Sequence, residues 1–557
     1  MGFFEQLGGR ILRFVLRFMG SLSATGVLLA LLFFAASLTP SLMPRSWLIQ
    51  GVLSGACAAT GYAFGVFIGW LWRYLELPWF SKQAAPLRAT TLLFAIIVSV
   101  VFLWHAVEWQ NSIRTLWQMQ PQQSADPFRL AGVAAITFAV LLALGWLFQL
   151  AASRFSHWLD AIMPRKVSNV LGLTLAIAVF WLVGQGLLVR WALDATDASF
   201  QKADALIEPD ETPPTSPAIT GGPGSLVGWD TLGRQGRAFV STGPKAEAIG
   251  EFWQKPALAP IRVYAGLNSA ETVEERASLA LQELERQGGF KRSLLVVVVP
   301  TGTGWVDPAA MDTLEYLHDG DVASVALQYS YLSSWLSLLV EPENGQDAAR
   351  ALFQAVYDHW KTLPKDRRPR LYLHGLSLGA LNSQLSTDIY DVVADPFQGA
   401  LWSGPPFRSA RWNAITAMRQ KGSPAWLPKF RDGSVVRFAN QVETASNGFA
   451  PWGPIRMIYL QYASDPVTFF DPSSFFREPA WLRGERGPDV SQSFTWIPVV
   501  TGLQLAVDMA IATSSPIGHG HVYAPEHYID AWIPLTDPAV SADDVTRLKQ
   551  HFLSAAD

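Results

Sequence analysis

Leu371-Tyr372-Leu373-His374-Gly375-Leu376-Ser377-Leu378-Gly379-Ala380 decides how this 557-residue chain is read. The run begins as a β-strand and passes without a loop into a helix. Gly375 and Gly379 flank Ser377 at minus two and plus two, the G-x-S-x-G spacing in which a sharp strand-to-helix turn holds a serine strained and exposed. Small residues are needed at both flanks because the turn brings their backbones together. The helix that follows aims its N-terminal dipole at the point where negative charge develops during acyl transfer.

Around this run, strands and helices alternate. Apolar runs at 237–241, 261–265, 294–299, 322–329, 370–373, 399–402, 435–438 and 455–462 read as strands. Helical segments are expected at 271–287, 308–318 and 345–362. A strand such as Leu294–Val299, apolar at every position, fits a sheet covered on both faces. Alternating βαβ units predict a doubly wound, mostly parallel sheet.

A nucleophilic serine needs a base, and the base needs an orienting carboxylate. With the chain order Ser, acid, His, the acid is expected at Asp465, just past the strand 455–462, with Asp471 as runner-up. The base is sought in Gly518-His519-Gly520-His521-Val522-Tyr523, with His521 preferred to His519. His374 and His527 read as structural. For the oxyanion, one donor is the amide of Leu378. The other comes from Pro300-Thr301-Gly302-Thr303-Gly304-Trp305, where Thr301, Gly302 and Thr303 are the alternatives. That loop is no phosphate cradle, because no Gly-Lys-[Ser/Thr] follows. His519, His521, His527 and Glu526 lack the spacing of a helical zinc site and leave the serine unexplained. No metal or cofactor is expected.

The N-terminal third differs in kind. Half of all residues are hydrophobic and only 16% are charged, which excludes a disordered chain. Five apolar stretches of spanning length, about 21–42, 47–71, 89–107, 130–152 and 168–189, predict an all-α transmembrane bundle. Four further spans argue against reading the first as a cleaved signal. The second carries Gly51, Gly55, Gly61, Gly65 and Gly69, and small residues let helices approach closely, so it is expected at the bundle's centre. Residues 1–190 hold 13 Lys/Arg against 5 Asp/Glu, and the remainder 29 against 41. The acidic remainder repels phosphate, so nucleic acid is not an expected partner. Alternate loops carry nine and three Lys/Arg, which places the N-terminus in the cytoplasm and everything after residue 190 outside. The expected domains are therefore a membrane bundle (1–190), a linker (191–234) and a catalytic domain (235–557).

These residues resemble the α/β-hydrolase fold. With the multi-span N-terminal region, the chain resembles more narrowly the bacterial family of membrane-anchored α/β-hydrolases. The resemblance implies a serine hydrolase of the bacterial inner membrane. Its oxyanion loop departs from the His-Gly-Gly pattern of many esterases, and a long apolar helix, about 494–513, separates the proposed acid from the base. Phe469, Phe470, Phe475, Phe476, Trp481, Phe494 and Trp496, with Phe407, Trp412, Trp426 and Phe430 of an insert expected to form a lid, point to hydrophobic, lipid-like ester substrates. An acyltransferase using the same triad and a non-catalytic binding protein are the alternatives. Oligomeric state is not legible.

Overall fold

The computed structural model describes residues 22–77, 84–183, 204, 206–207, 211–332, 337, 343–446 and 449–556. The chain divides into two compact units, which the linker alone does not separate. One comprises Met1–Leu188 together with Phe470–Leu482 and Asp489–Ile511; the other comprises Val189–Phe469, Arg483–Pro488 and Ala512–Asp557. From the sequence, all of 235–557 is expected in the catalytic domain. Of the segment between the expected acid and base, residues 470–482 and 489–511 instead fold with the N-terminal helices.

In the first unit the described helices are α1 (Ala24–Ser37), α2 (Trp47–Tyr74), α3 (Ala84–Leu116), α4 (Pro127–Leu159) and α5 (Arg165–Trp181). Three helical stretches, Trp47–Tyr74, Ala89–Leu116 and Pro127–Leu159, are long and apolar enough to cross a membrane. The expectation of five such spans is not met by α1, which has 14 residues where about 20 are needed. Pro40 and Pro44 explain its early end, since proline cannot continue the helical hydrogen bonding. The end of the fifth expected span, 184–189, lies outside the described residues. Helix α2 packs where its glycines predict. A Cβ on Gly55 would stand 2.5 Å from the Ala134 carbonyl of α4, and one on Gly65 would stand 2.3 Å from the Thr25 carbonyl of α1.

The second unit is built on a seven-stranded parallel sheet. Its elements are α6 (Gly233–Ser241), α7 (Ala246–Trp253), β1 (Ile261–Ala265), α8 (Val273–Arg286), β2 (Leu294–Val299), α9 (Pro308–Leu317), β3 (Val322–Leu327), α10 (Asn344–Thr362), β4 (Arg370–Leu376), α11 (Leu378–Leu385), α12 (Ile389–Ala394), β5 (Gly399–Ser403), α13 (Ala410–Ala417), β6 (Val436–Ala439), β7 (Arg456–Leu460), α14 (Pro466–Phe469), α16 (Pro525–Thr536) and α17 (Ala542–Ala556); α15 (Val500–Ala510) belongs to the first unit. The strand order is β1-β3-β2-β4-β5-β7-β6. Every position of β1, β2, β3, β5 and β6 is buried, as a sheet covered on both faces requires.

Two sequence expectations change here. The run 237–241, read as a strand, is the end of α6. Its buried positions Gly233, Gly236, Arg237, Phe239 and Val240 are related by steps of three and four residues, the helical period. The second half of the expected linker is also not a free tether. Glu211 pairs with the buried Arg237 at 2.9 Å, and the Thr220 hydroxyl donates to the Arg262 carbonyl at 3.0 Å.

Candidate active site

The central strands β2, β4, β5 and β7 all run the same way, so their C-terminal ends and the loops beyond them share one edge of the sheet. That edge is where ligands bind in open α/β sheets. Ser377 sits there between β4 and α11, with φ 57° and ψ −122°. A positive φ is costly for a residue with a side chain and is the strained turn expected of a nucleophile elbow. The flanking glycines are required by contact. A Cβ on Gly375 would lie 2.3 Å from the carbonyl carbon of Gly379, and one on Gly379 would lie 2.1 Å from the Val299 carbonyl oxygen. The Ser377 N–H donates to the Ser403 carbonyl at 3.0 Å, tying the turn to the end of β5.

Asp465 follows β7 and is fully buried. Its Oδ1 accepts from the Val467 N–H at 2.8 Å, capping the short α14. Its Oδ2 accepts from His521 Nδ1 at 2.7 Å and from the Tyr523 hydroxyl at 2.8 Å. The histidine is delivered by a tight turn in which Gly518 and Gly520 have φ of 87° and 56°. There the Gly520 N–H donates to the hydroxyl of Ser464, the neighbour of Asp465, at 2.9 Å. Gly404, at φ 49°, closes the arrangement. A Cβ there would stand 2.8 Å from His521 Cε1 and 3.0 Å from Asp465 Oδ2. Because Gly404 directly follows Ser403, the acceptor of the Ser377 amide, this contact ties serine, histidine and aspartate to one point at the end of β5.

His521 Nε2 is buried and has no hydrogen-bond partner among the described residues. With Nδ1–H committed to a carboxylate, Nε2 carries the lone pair, the state a general base needs. The other histidines are differently placed. Burial pushes His519 down to about 4. His527 Nδ1 lies 2.6 Å from the Tyr462 hydroxyl, and burial lowers it to about 4 as well. His374 Nδ1 bonds the Leu401 carbonyl at 2.9 Å within the core. Asp471 caps a 3-10 turn by accepting from the Ser473 N–H at 2.8 Å, and it falls in the other unit.

Leu378 is the first residue of α11, so its N–H belongs to the first turn, whose donors have no partner inside the helix. In the loop after β2 the Thr301 N–H is committed to the Trp305 carbonyl at 2.9 Å, and that of Gly304 to the Thr301 carbonyl at 2.9 Å. The Thr301 amide, one of the three alternatives for the second donor, is thus engaged within its own loop.

A model described as the alpha/beta-hydrolase family matches residues 261–548, and one described as that family's N-terminus matches residues 38–244. The chain belongs to this alpha/beta-hydrolase family. No curated protein and no solved structure matches it. Residues 261–548 of this hydrolase-family match hold Ser377, Asp465 and His521 together with the loop after β2.

Two residues at the site escaped the sequence reading. Tyr523 stands two positions beyond His521, so in an extended segment both point the same way, and that alternation was the available signal. Asp307, the N-cap of α9, receives the Tyr528 hydroxyl at 2.9 Å. Burial raises Asp307 to about 7. Five of the eleven aromatic residues expected to line an acyl pocket are engaged in other contacts. Trp481 packs on Phe494, and Phe475 on Gly502, within the first unit. Trp412 and Trp426 are buried, with their indole N–H groups on Gln461 and on the Glu485 carbonyl.

Proposed function

We propose that this protein is a membrane-anchored serine hydrolase that cleaves carboxylic esters of hydrophobic, lipid-like substrates through an acyl-enzyme on Ser377. The observation that carries the reading is the buried His521, its Nδ1 on Asp465 and its Nε2 unpartnered, beside the strained turn that presents Ser377. In this mechanism His521 Nε2 takes the proton of the Ser377 hydroxyl as Oγ attacks the ester carbonyl. The Leu378 N–H and a second from the loop after β2, that of Thr301, Gly302 or Thr303, stabilise the oxyanion. The imidazolium then protonates the leaving alcohol, and a water activated the same way releases the acid.

The lipid-like substrate class is supported by chain connectivity. Asp465 stands five residues before Phe470, where the chain enters the membrane-helix unit, and His521 ten residues after Ile511, where it leaves. Catalytic residues tied to a membrane unit by short links favour a substrate met at the bilayer. Six Lys/Arg at the α2–α3 and α4–α5 connections (Arg73, Lys82, Arg88, Arg154, Arg165 and Lys166) against two at the α3–α4 connection (Arg114 and Arg129) favour a catalytic domain outside the cytoplasm, and the family resemblance favours a bacterial inner membrane.

The test is fluorophosphonate labelling of the full-length protein with hydrolysis of a series of p-nitrophenyl esters. Labelling lost in Ser377→Ala, and kcat/KM rising from acetate to longer acyl chains, would support the reading. A labelled Ser377→Ala variant would refute the nucleophile. A preference for acetate would overturn the substrate class alone. A reporter fused after Asp557 that is active only in the cytoplasm would overturn the orientation.

A further inference from the structure

The first unit carries a polar cavity that the hydrolase chemistry does not use. It has a volume of about 220 Å³ and lies among residues 38–50, 106–110 and 122–130. These are the α1–α2 loop, the α3–α4 loop and the helix ends beside them. Two helices of spanning length, α2 and α3, separate the two loops, so both lie at the same end of the bundle.

Arg45, Gln50 and Gln110 line the cavity and are 2%, 4% and 5% exposed. Each has one hydrogen-bonding end fixed and the other left over. Gln50 Nε2 donates to the Ser37 carbonyl at 2.9 Å and to the Ser54 hydroxyl at 3.0 Å, leaving Oε1. Gln110 Oε1 accepts from the Arg45 backbone N–H at 2.8 Å, leaving Nε2. Arg45 Nη2 donates to the Ser41 hydroxyl at 2.7 Å, leaving Nη1. Gln50 Oε1, Gln110 Nε2 and Arg45 Nη1 have no partner among the described residues. Buried polar groups left this way cost free energy unless something meets them.

We infer that this cavity receives the uncharged, hydroxyl-bearing headgroup of a membrane lipid, a glycerol or sugar. The unmet groups are one acceptor and three donors, Arg45 Nε among them, and a hydroxyl both donates and accepts at a single atom. A carboxylate or phosphate only accepts, and an ammonium only donates. The charge balance points the same way. The positive charge of Arg45 is offset by Asp508, whose Oδ1 lies 3.7 Å from Nε, while Asp126 lines the cavity and repels an anion. The volume is several times the roughly 30 Å³ that one water occupies. Leu38, Ala106 and Leu130 supply an apolar wall, where the chain-bearing end of a lipid would rest.

Full-length protein in phosphatidylcholine nanodiscs tests this, with monoglucosyl diacylglycerol, phosphatidic acid of the same chains and free glucose as probes, read by native mass spectrometry. The glucosyl lipid should bind saturably, with phosphatidic acid a poor competitor. Gln110→Met should weaken binding about 3- to 10-fold, the worth of a hydrogen bond between uncharged groups. Should that variant fold poorly, Gln122→Trp, a bulky substitution at a half-exposed lining position, should abolish binding by filling the cavity. Tighter binding of phosphatidic acid, or undiminished binding in both variants, would overturn the proposal. Free glucose binding as tightly as the lipid would overturn the lipid as its source.

Discussion

Tyr523 donates its hydroxyl to Asp465 Oδ2 at 2.8 Å, the same oxygen that receives His521 Nδ1 at 2.7 Å. The Tyr523 ring is held independently by stacking on Tyr462, with centroids 4.4 Å apart. Tyr523→Phe therefore removes one hydrogen bond without moving the ring. The Thr468 hydroxyl at 3.2 Å and His521 remain on that oxygen. We expect kcat to fall about 3- to 10-fold with KM little changed, since the lost bond holds the acid rather than the substrate. Unchanged kcat would remove Tyr523 from the positioning network.

His519 and His521 occupy one turn with different surroundings. Only His521 has a carboxylate on Nδ1, while His519 is desolvated and held low, at about 4. His521→Ala should lose probe reactivity by several powers of ten, as losses of a triad base do. His519→Ala should keep most of its rate. Selective loss at His519 would reverse the assignment.

The tightest contact at the elbow joins Gly379 to the Val299 carbonyl oxygen, 2.1 Å from where a Cβ would stand. Both partners are backbone, so neither can move aside. Gly379→Ala should destabilise the protein by roughly 3 kcal/mol or more. Gly132, in α4, has open space at its Cβ position. Gly132→Ala should be neutral or slightly stabilising, because alanine is the better helix former. Denaturation midpoints of the two variants in the same detergent would check the contrast.

Much of this architecture was legible because it rests on local signals. The G-x-S-x-G run announced the elbow, and the fully apolar 294–299 announced a covered strand. Asp465 was placed from its position just beyond β7 and His521 from its glycine-flanked loop. What was not legible depends on contacts distant in sequence. Nothing local in Val500–Ala510 says that it folds with α1 and α2, where Gln504 Nε2 donates to the Thr39 carbonyl at 2.9 Å and Asp508 accepts from the Leu42 N–H at 3.0 Å. An apolar run signals burial without naming the partner. The five-residue run 237–241 was too short for its period to separate helix from strand.

Asp307 makes stability depend on pH in a direction opposite to the usual carboxylate. It accepts from the Ala309 N–H at 3.0 Å and from Tyr528 at 2.9 Å, yet burial dominates and raises it from 3.8 to about 7. Below about pH 4 the group is protonated folded or unfolded and has no effect. Between about 4 and 7 the unfolded chain gives up the proton while the folded chain keeps it, so stability falls as pH rises; above 7 both forms are ionised and the dependence ends. The total is on the order of 4 kcal/mol, at about 1.4 kcal/mol per unit. Asn caps helices as well as Asp does and carries no charge. Asp307→Asn should therefore match the wild type near pH 4 and exceed it progressively towards pH 7. Glu315, also raised to about 7 by burial, keeps its own share of the slope in both proteins. Unfolding midpoints measured across that range would decide, and parallel curves would show that Asp307 ionises freely in the folded protein.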